Sequence, residues 1–419
     1  MITERLFQFI WQFQYFNNSE LTTVTGEPLQ IIHPGLSNLN QGPDFSNARI
    51  RIGDNTWAGT VELHILTSDW NRHQHQNDSN YRSVILHVVW EDDRTDLLIP
   101  VLELKSRVPK LLLQRYRELM DAGSFIPCQK TIRNIPDLNW KGWIDRMLAE
   151  RLLRKAALVQ SYLQENKNHW EETFWWLLAR SYGMKVNADA FEAIARSIPL
   201  KLLRKFSELY QYEALLFGQA GLLNKEFKDE YPGLISREYS FNYGKYEIKP
   251  NQMPLLFLRM RPGNFPTIRL AQLSALVHGS VRLFAKIKEA NSLKEVKKWF
   301  NTPAGKYWDN HYLFDEPSAF RPKMPGNAFV DSIIINTIAP VLFAYGDYHS
   351  DQSCKDKALQ WLEETAAENN SIIKGFGQAG IEIKTAYDSQ ALIELKTQYC
   401  DRKRCLDCGV GNYLLKTAN

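Results

Sequence analysis

Long apolar runs are missing from this sequence. The longest, around Ile333 to Ala344, is interrupted by Asn336 and Pro340 and falls short of the ~20 residues that a bilayer-spanning helix needs. It reads as a buried helix, and no membrane association is expected. The aromatic stretch Leu6 to Phe16 is broken by Gln and lacks a small-residue cleavage site, so it is not read as a secretory leader. Cysteine is scarce: there are five in 419 residues, three of them crowded near the C-terminus. That is not the pattern of a secreted disulfide framework, and the expected compartment is cytoplasmic. An excess of one charge is missing too, with 51 Lys and Arg against 47 Asp and Glu. The balance permits a local basic groove for nucleic acid without making a strongly basic domain. A Walker-type Gly-x-x-x-x-Gly-Lys run and a Gly-x-Ser-x-Gly elbow are absent, as is a dinucleotide fingerprint in the strand–turn–helix setting it requires. These absences disfavour ATP hydrolysis, nicotinamide redox chemistry and α/β-hydrolase catalysis.

What is present is ordinary globular composition, 44% apolar and 23% charged, in a chain too long for a single core. Apolar residues at Leu6, Phe9, Ile10, Phe13 and Phe16 predict an opening helix, with Thr3 placed to cap it. Leu21–Val24 and Leu29–Ile32 flank Gly26-Glu27 as a hairpin. Residues 35–42 read as a loop. Strands are predicted over Ala48–Ile52, Trp57–Leu66, Val84–Trp90 and Leu97–Leu104. The polar stretch Ser68–Tyr81 between them reads as a loop or short helix, and Pro109 opens a further helix over Lys110–Met120. From Trp140 onward the periodicity is helical, interrupted by a Tyr/Phe-, Gly- and Pro-bearing stretch, 231–254, that reads as a linker or arm. The fold class is therefore α/β (α+β) for 1–125. A mainly α-helical region, 126–419, follows, subdivided near 231–254 and ending in a cysteine knuckle at 400–409. Pro262-Gly263-Asn264 and Pro325-Gly326-Asn327 echo one another, each before an apolar helix. Two similar helix entries explain the echo more simply than a repeat.

The chemistry-bearing segment is Gly42-Pro43-Asp44-Phe45, followed after a strand and a turn by Val61-Glu62-Leu63-His64. Alternation along a strand puts Glu62 and His64 on one face and Val61, Leu63 and Ile65 in the core. Asp44, at the start of the neighbouring strand, can reach that polar face. Two carboxylates beside a third polar head form a hard-oxygen site for Mg²⁺ or Mn²⁺. Such a site suits phosphodiester hydrolysis. The competing reading makes Pro43-Asp44 a turn, with Asp44 bonding its own backbone, and Glu62 and His64 solvent-facing. Five of nine histidines (33, 64, 73, 75 and 87) fall in the same short stretch. Trp70, His73 and His75 are the predicted substrate contacts, two imidazoles for phosphate or metal and an indole for a stacked base. His87, inside an apolar run, reads as a hydrogen-bonded core histidine.

In these residues the N-terminal region resembles the restriction-endonuclease-like superfamily, whose signature is Pro-Asp, a strand-sized gap, then an acidic residue, any residue and Lys. Pro43-Asp44 and Glu62-Leu63-His64 match two of its three catalytic positions, with His64 where the superfamily has Lys. The resemblance covers about a quarter of the chain. It implies that Asp44 and Glu62 hold the metal and that His64 does the lysine's work. Loss of the permanent lysine charge favours a rival, a catalytically inactive nucleic-acid-binding or assembly protein that keeps the fold. The whole chain also resembles a bacterial family of unknown function through Gly42-Pro43-Asp44-Phe45, Val61-Glu62-Leu63-His64, Asp69-Trp70-x-x-His73-x-His75 and the terminal cysteines.

Cys400, Cys405 and Cys408, with Gly409 after the last, form a metal knuckle that needs a fourth ligand to hold Zn²⁺ or an iron–sulfur cluster. Cys128 is the favoured fourth ligand and Cys354 the alternative, and a ligand at 128 would staple the two parts of the chain together. Trp170, Trp175 and Trp176 read as core, and Arg259, Arg261 and Arg269 as surroundings for a phosphate.

Overall fold

The computed structural model describes residues 2–38, 40–93, 97–251 and 253–417. The chain divides into two compact units. Unit 1 comprises Met1–Trp143, Gln378–Ile381 and Leu395–Asn419; unit 2 comprises Ile144–Gly377 and Glu382–Glu394. The knuckle at 400–409 therefore groups with the α/β module, so Cys128 and the C-terminal cysteines lie in one unit and do not staple two.

Unit 1 is a mixed α/β layer. Helix α1 (Glu4–Gln12) begins where the Thr3 side chain accepts from the Leu6 N–H, satisfying one of the amides that a helix start leaves open. Its apolar residues Leu6, Phe7, Phe9, Ile10 and Trp11 are all buried. Strands β1 (Leu29–His33), β2 (Leu36–Ser37), β3 (Phe45–Ile52), β4 (Asn55–Leu66), β5 (Val84–Glu91) and β6 (Val101–Glu103) form one sheet ordered β1-β3-β4-β5-β6, with β2 also pairing to β3. Pairing is antiparallel through β3 and β4, then parallel from β4 to β5 and β5 to β6. The crossover from β4 to β5 carries a short helix, α2 (Asp69–Arg72), and two 3₁₀ turns. Helix α3 (Lys110–Asp121) follows. Ala48, Ile50, Val61, Leu63, Leu86 and Val88 share a core with α1, so the opposite face of β4 presents Glu62 and His64.

Two expected strands differ. Leu21–Val24 makes only an isolated bridge, Thr22 to Pro28: the Leu29 N–H bonds the Leu21 carbonyl, but the Val24 N–H already turns away to the Val101 carbonyl. The last strand is confined to Val101–Glu103.

Unit 2 is almost wholly helical. Trp175 is buried, and its indole N–H is shared between the Ala195 and Ile198 carbonyls at 3.1 Å each. Within 231–254, the expected arm is largely the helix Glu230–Tyr246. Pro232 stands in its first turn, where the missing N–H costs no intrahelical bond. The helix Asn327–His349 is long and apolar enough to cross a bilayer, with mean hydropathy 1.7, and 61% of that window is buried inside the protein. It contains a π turn at Ile334–Ile338.

Candidate metal centre

Glu62 and His64 project from the middle of β4, and both are buried, at 6% and 2% exposure. The solvent-facing reading of this strand is therefore excluded, because the β4–β5 crossover folds back over it. Gly59 sets how closely β4 and β5 meet: a Cβ there would lie 2.5 Å from the Ser83 carbonyl oxygen. On the other side β3 carries a bulge between Phe45 and Ala48, with Asn47 at φ 57°. Bulges re-aim side chains near sites of this kind.

Asp44 and Glu62 meet, as the spacing predicts, through a reciprocal brace. The Asp44 N–H donates to Glu62 Oε2 at 3.0 Å, and the Leu63 N–H donates to Asp44 Oδ2 at 3.0 Å. Gln8, from α1, donates to Asp44 Oδ1 at 2.8 Å. The Asp44 carboxylate thus bonds the neighbouring strand and helix rather than its own turn.

Glu62 Oε1 turns the other way, toward the histidines. It lies 3.6 Å from His64 Nε2 and 3.5 Å from His75 Nε2. His64 Nε2 is 3.1 Å from His73 Nδ1, and His64 Nδ1 is 2.9 Å from His87 Nε2. One ligand atom from each of His64, His73 and His75 lies within 4.8 Å of the other two. His75 Nε2 is buried with no hydrogen-bond partner. Two ligands on one tetrahedral ion with metal–nitrogen bonds of 2.0–2.1 Å sit about 3.3 Å apart. Separations of 3.1, 3.5 and 3.6 Å therefore fit donors sharing an ion, and the orphaned His75 nitrogen is explained by one. The donor set differs from the hard-oxygen pair read from the sequence. Three imidazoles, with the Glu62 carboxylate 3.6 and 3.5 Å from two of them, suit Mn²⁺, Fe²⁺ or Zn²⁺ better than Mg²⁺. Asp44 becomes the brace that fixes Glu62.

Three further residues complete the site. His87, fully buried beside Glu62 in the strand register, is the core histidine expected, and it orients His64. Tyr81 stacks on His75 with ring centroids 3.8 Å apart. Neither Tyr81 nor Gln8 was singled out in the sequence, although Gln8 is the polar break in an apolar helix. Trp70 corrects an expectation. It is 4% exposed and packs against His75 and His87 at 5.4 and 5.2 Å, so it walls the cluster and presents no ring to a base. His33 donates nothing here: its Nδ1 accepts from the Gly35 N–H at 3.1 Å.

A family model described as "protein of unknown function (DUF2851)" matches residues 4–371. The chain belongs to that family. Comparisons with curated proteins and with solved structures found no match. The DUF2851 match includes all of the residues from Asp44 to His87, while Cys400, Cys405 and Cys408 lie beyond its end.

Electrostatics keep the imidazoles in the form that binds metal. Burial, then the neighbouring rings, holds His64 down at about 2; burial and His75 hold His87 at about 4. Burial, then Asp44, pushes Glu62 up to about 8, and burial raises Asp44 to about 6. The signs oppose. Glu62 keeps a proton in the folded state that the unfolded chain releases near 4.5. Its contribution to stability is full below that pH and lost as pH rises through about 8. The histidines refuse protons that the unfolded chain takes up below 6.5. Their contribution is full above 6.5 and lost as pH falls. Chelator-treated protein is therefore expected to melt highest between pH 4.5 and 6.5, with the melting temperature falling on both sides. A curve rising steadily from acid to alkaline pH would contradict this protonation pattern.

Unit 2 contains a separate cavity. Arg261 and Arg269 line it, as do Gly263, Asn264 and Gly326 from the two Pro-Gly-Asn entries. Arg259 is not among its lining residues.

Proposed function

We propose that unit 1 is a divalent-metal-dependent phosphodiesterase of the nuclease kind, acting on DNA or RNA with a restriction-endonuclease-like core. The observation that carries this reading is the gathering of one ligand atom each from His64, His73 and His75 within 4.8 Å of one another, with Glu62 Oε1 3.6 and 3.5 Å from His64 and His75. Support comes from the order of a helix followed by antiparallel strands, with Pro43-Asp44 entering one strand and Glu62-Leu63-His64 on the next. Glu62, His64, His73 and His75 would hold the ion, which would polarise the phosphodiester and acidify an attacking water. Both ring nitrogens of His64 are engaged, so it serves as ligand and not as the base that replaces lysine. Arg49 and Arg51 are exposed on β3. By register they share the sheet face of Glu62 and His64, where cations position phosphates.

The rival, a binding or assembly protein without catalysis, is favoured by one feature: both Asp44 oxygens are occupied by N–H donors. One experiment separates the two. Chelator-treated protein is melted with Mn²⁺, Zn²⁺ or Mg²⁺, and the same samples are offered single- and double-stranded DNA and RNA. Mn²⁺ or Zn²⁺ is expected to raise the melting temperature more than Mg²⁺ and to support cleavage. A His73→Ala/His75→Ala variant is expected to lose both responses. A shift without cleavage leaves the binding protein; no shift with any ion removes the metal centre altogether.

A further inference from the structure

We propose that Cys128, Cys400, Cys405 and Cys408 form a second, independent metal centre in unit 1, a four-thiolate site whose spacing suits an iron–sulfur cluster. All four line one small cavity, walled by Leu119, Pro127 and Tyr399, and none is in a disulfide. The backbone is shaped around them. Lys403 turns at φ 49° after Cys400, Cys405–Asp407 is a 3₁₀ turn, and Cys408 caps the helix Gly409–Lys416. A Cβ on Gly411 would lie 2.1 Å from the Cys405 carbonyl oxygen, and one on Gly409 would lie 2.6 Å from the Trp143 ring. These two glycines let the chain close tightly over Cys408.

The donors around Cys408 ask for an anion. Cys408 stands immediately before the first turn of the helix Gly409–Lys416, whose open backbone N–H groups favour negative charge there. A neutral thiol is a weak acceptor, and a metal-bound thiolate suits that position better.

Spacing indicates the kind of centre. Four sulfurs 2.3 Å from one zinc ion stand about 3.8 Å apart. Among the described residues, the metal-ligand group with all atoms within 4.8 Å of one another is the histidine triple, and no cysteine trio joins it. A cluster spreads its thiolates over several iron atoms and holds them farther apart.

The test is metal and acid-labile sulfide analysis, with an absorption spectrum, of full-length protein purified anaerobically from iron- and zinc-replete cells. Iron, sulfide and a brown colour are expected. They should be lost in Cys128→Ser and Cys405→Ser and kept in the control Cys354→Ser. One zinc per chain, lost in the same variants, would support the four-thiolate site and replace the cluster by a single ion. Colourless, metal-free wild-type protein overturns the proposal, whether or not the variants fold.

A different observation carries a second inference, in unit 2. Arg269 is 6% exposed, and its guanidinium is bonded by the neutral side chains of Gln272 and Asn264 at 2.9 and 2.6 Å, with Nε left unpartnered. Among the described residues no carboxylate pairs with it. A buried charge without a counter-ion is costly, and this one lines a cavity of about 1020 Å³ that Lys185, Arg261 and Arg321 also line. The π turn of the long helix supplies Asn336 and Thr337 to the same wall, and such turns recur at ligand sites. We infer that the cavity takes a phosphate-bearing small molecule. Inorganic phosphate and a nucleoside monophosphate are expected to raise the wild-type melting temperature more than chloride at equal ionic strength. Arg269→Met should abolish that difference without lowering the ligand-free value by more than a few degrees. Equal shifts in wild type and variant, or none in wild type, overturn it.

Discussion

Glu62→Gln is expected to abolish metal-stimulated phosphodiester hydrolysis, lowering the rate at least about a thousandfold, or ~4 kcal/mol of transition-state stabilisation. Its melting temperature without metal should hold or rise. The two effects come from the two ends of one side chain. Oε2 accepts from the Asp44 N–H, and a glutamine carbonyl oxygen can accept the same bond. Oε1 faces His64 and His75, and there an amide is a poor ligand for a divalent ion. The substitution also removes a carboxyl group that burial and Asp44 hold at about 8, so the unliganded fold loses a source of strain. Sites built for a ligand commonly show this opposition between stability and activity. Activity and thermal melts of the same preparation decide it. A variant that keeps metal-dependent cleavage shows that the ion, if bound, is held elsewhere; one that loses activity only by unfolding shows that Glu62 is structural.

Trp11→Ala should cost unit 1 about 4 kcal/mol, the usual range for truncating a fully buried tryptophan, with a melting temperature lower by roughly 8–16 °C. Trp11 is wholly buried and lies parallel to Phe16 at 6.1 Å. Its indole N–H bonds the Pro34 carbonyl at 3.0 Å. Removal leaves both a cavity and an unpaired carbonyl oxygen. Gln8→Ala, on the same helix, is the comparison. It deletes one hydrogen bond to Asp44 and should cost about 1 kcal/mol, while loosening Glu62 and weakening metal binding. Calorimetry on both variants tests the contrast. A small, equal loss from each would mean that α1 contributes little to the core.

The parity of β4 could be read directly from residues. Val61 and Leu63 pack under α1 while Glu62 and His64 face away, because alternation in a strand is local. The meeting of Asp44 and Glu62 followed from adjacent strands for the same reason. The arrival of His73 and His75 did not, since it depends on the parallel crossover returning the loop over its own strand, and loops carry no period. Sequence alone therefore leaves these two imidazoles to phosphate or metal, and places the ion between Asp44 and Glu62. The burial of Trp70 depends on the same crossover. In unit 2, the helix Glu230–Tyr246 was hidden by Pro232, Gly233 and Gly244, which look like breakers until Pro232 is seen in the first turn.

Unit 1 is discontinuous: its first 143 residues are rejoined by Leu395–Asn419, whose Cys405 and Leu415 belong to the same apolar core as α1. During synthesis at roughly 5–20 residues per second, tens of seconds separate the emergence of Cys128 from that of Cys408. The histidine-bearing strands can assemble early in that interval. The last part of their supporting core cannot, so a nascent chain carries an unfinished apolar surface and a waiting thiol while the helical insertion is made. Truncation before Leu395 should accordingly yield an aggregation-prone product, even though every histidine of the centre is present.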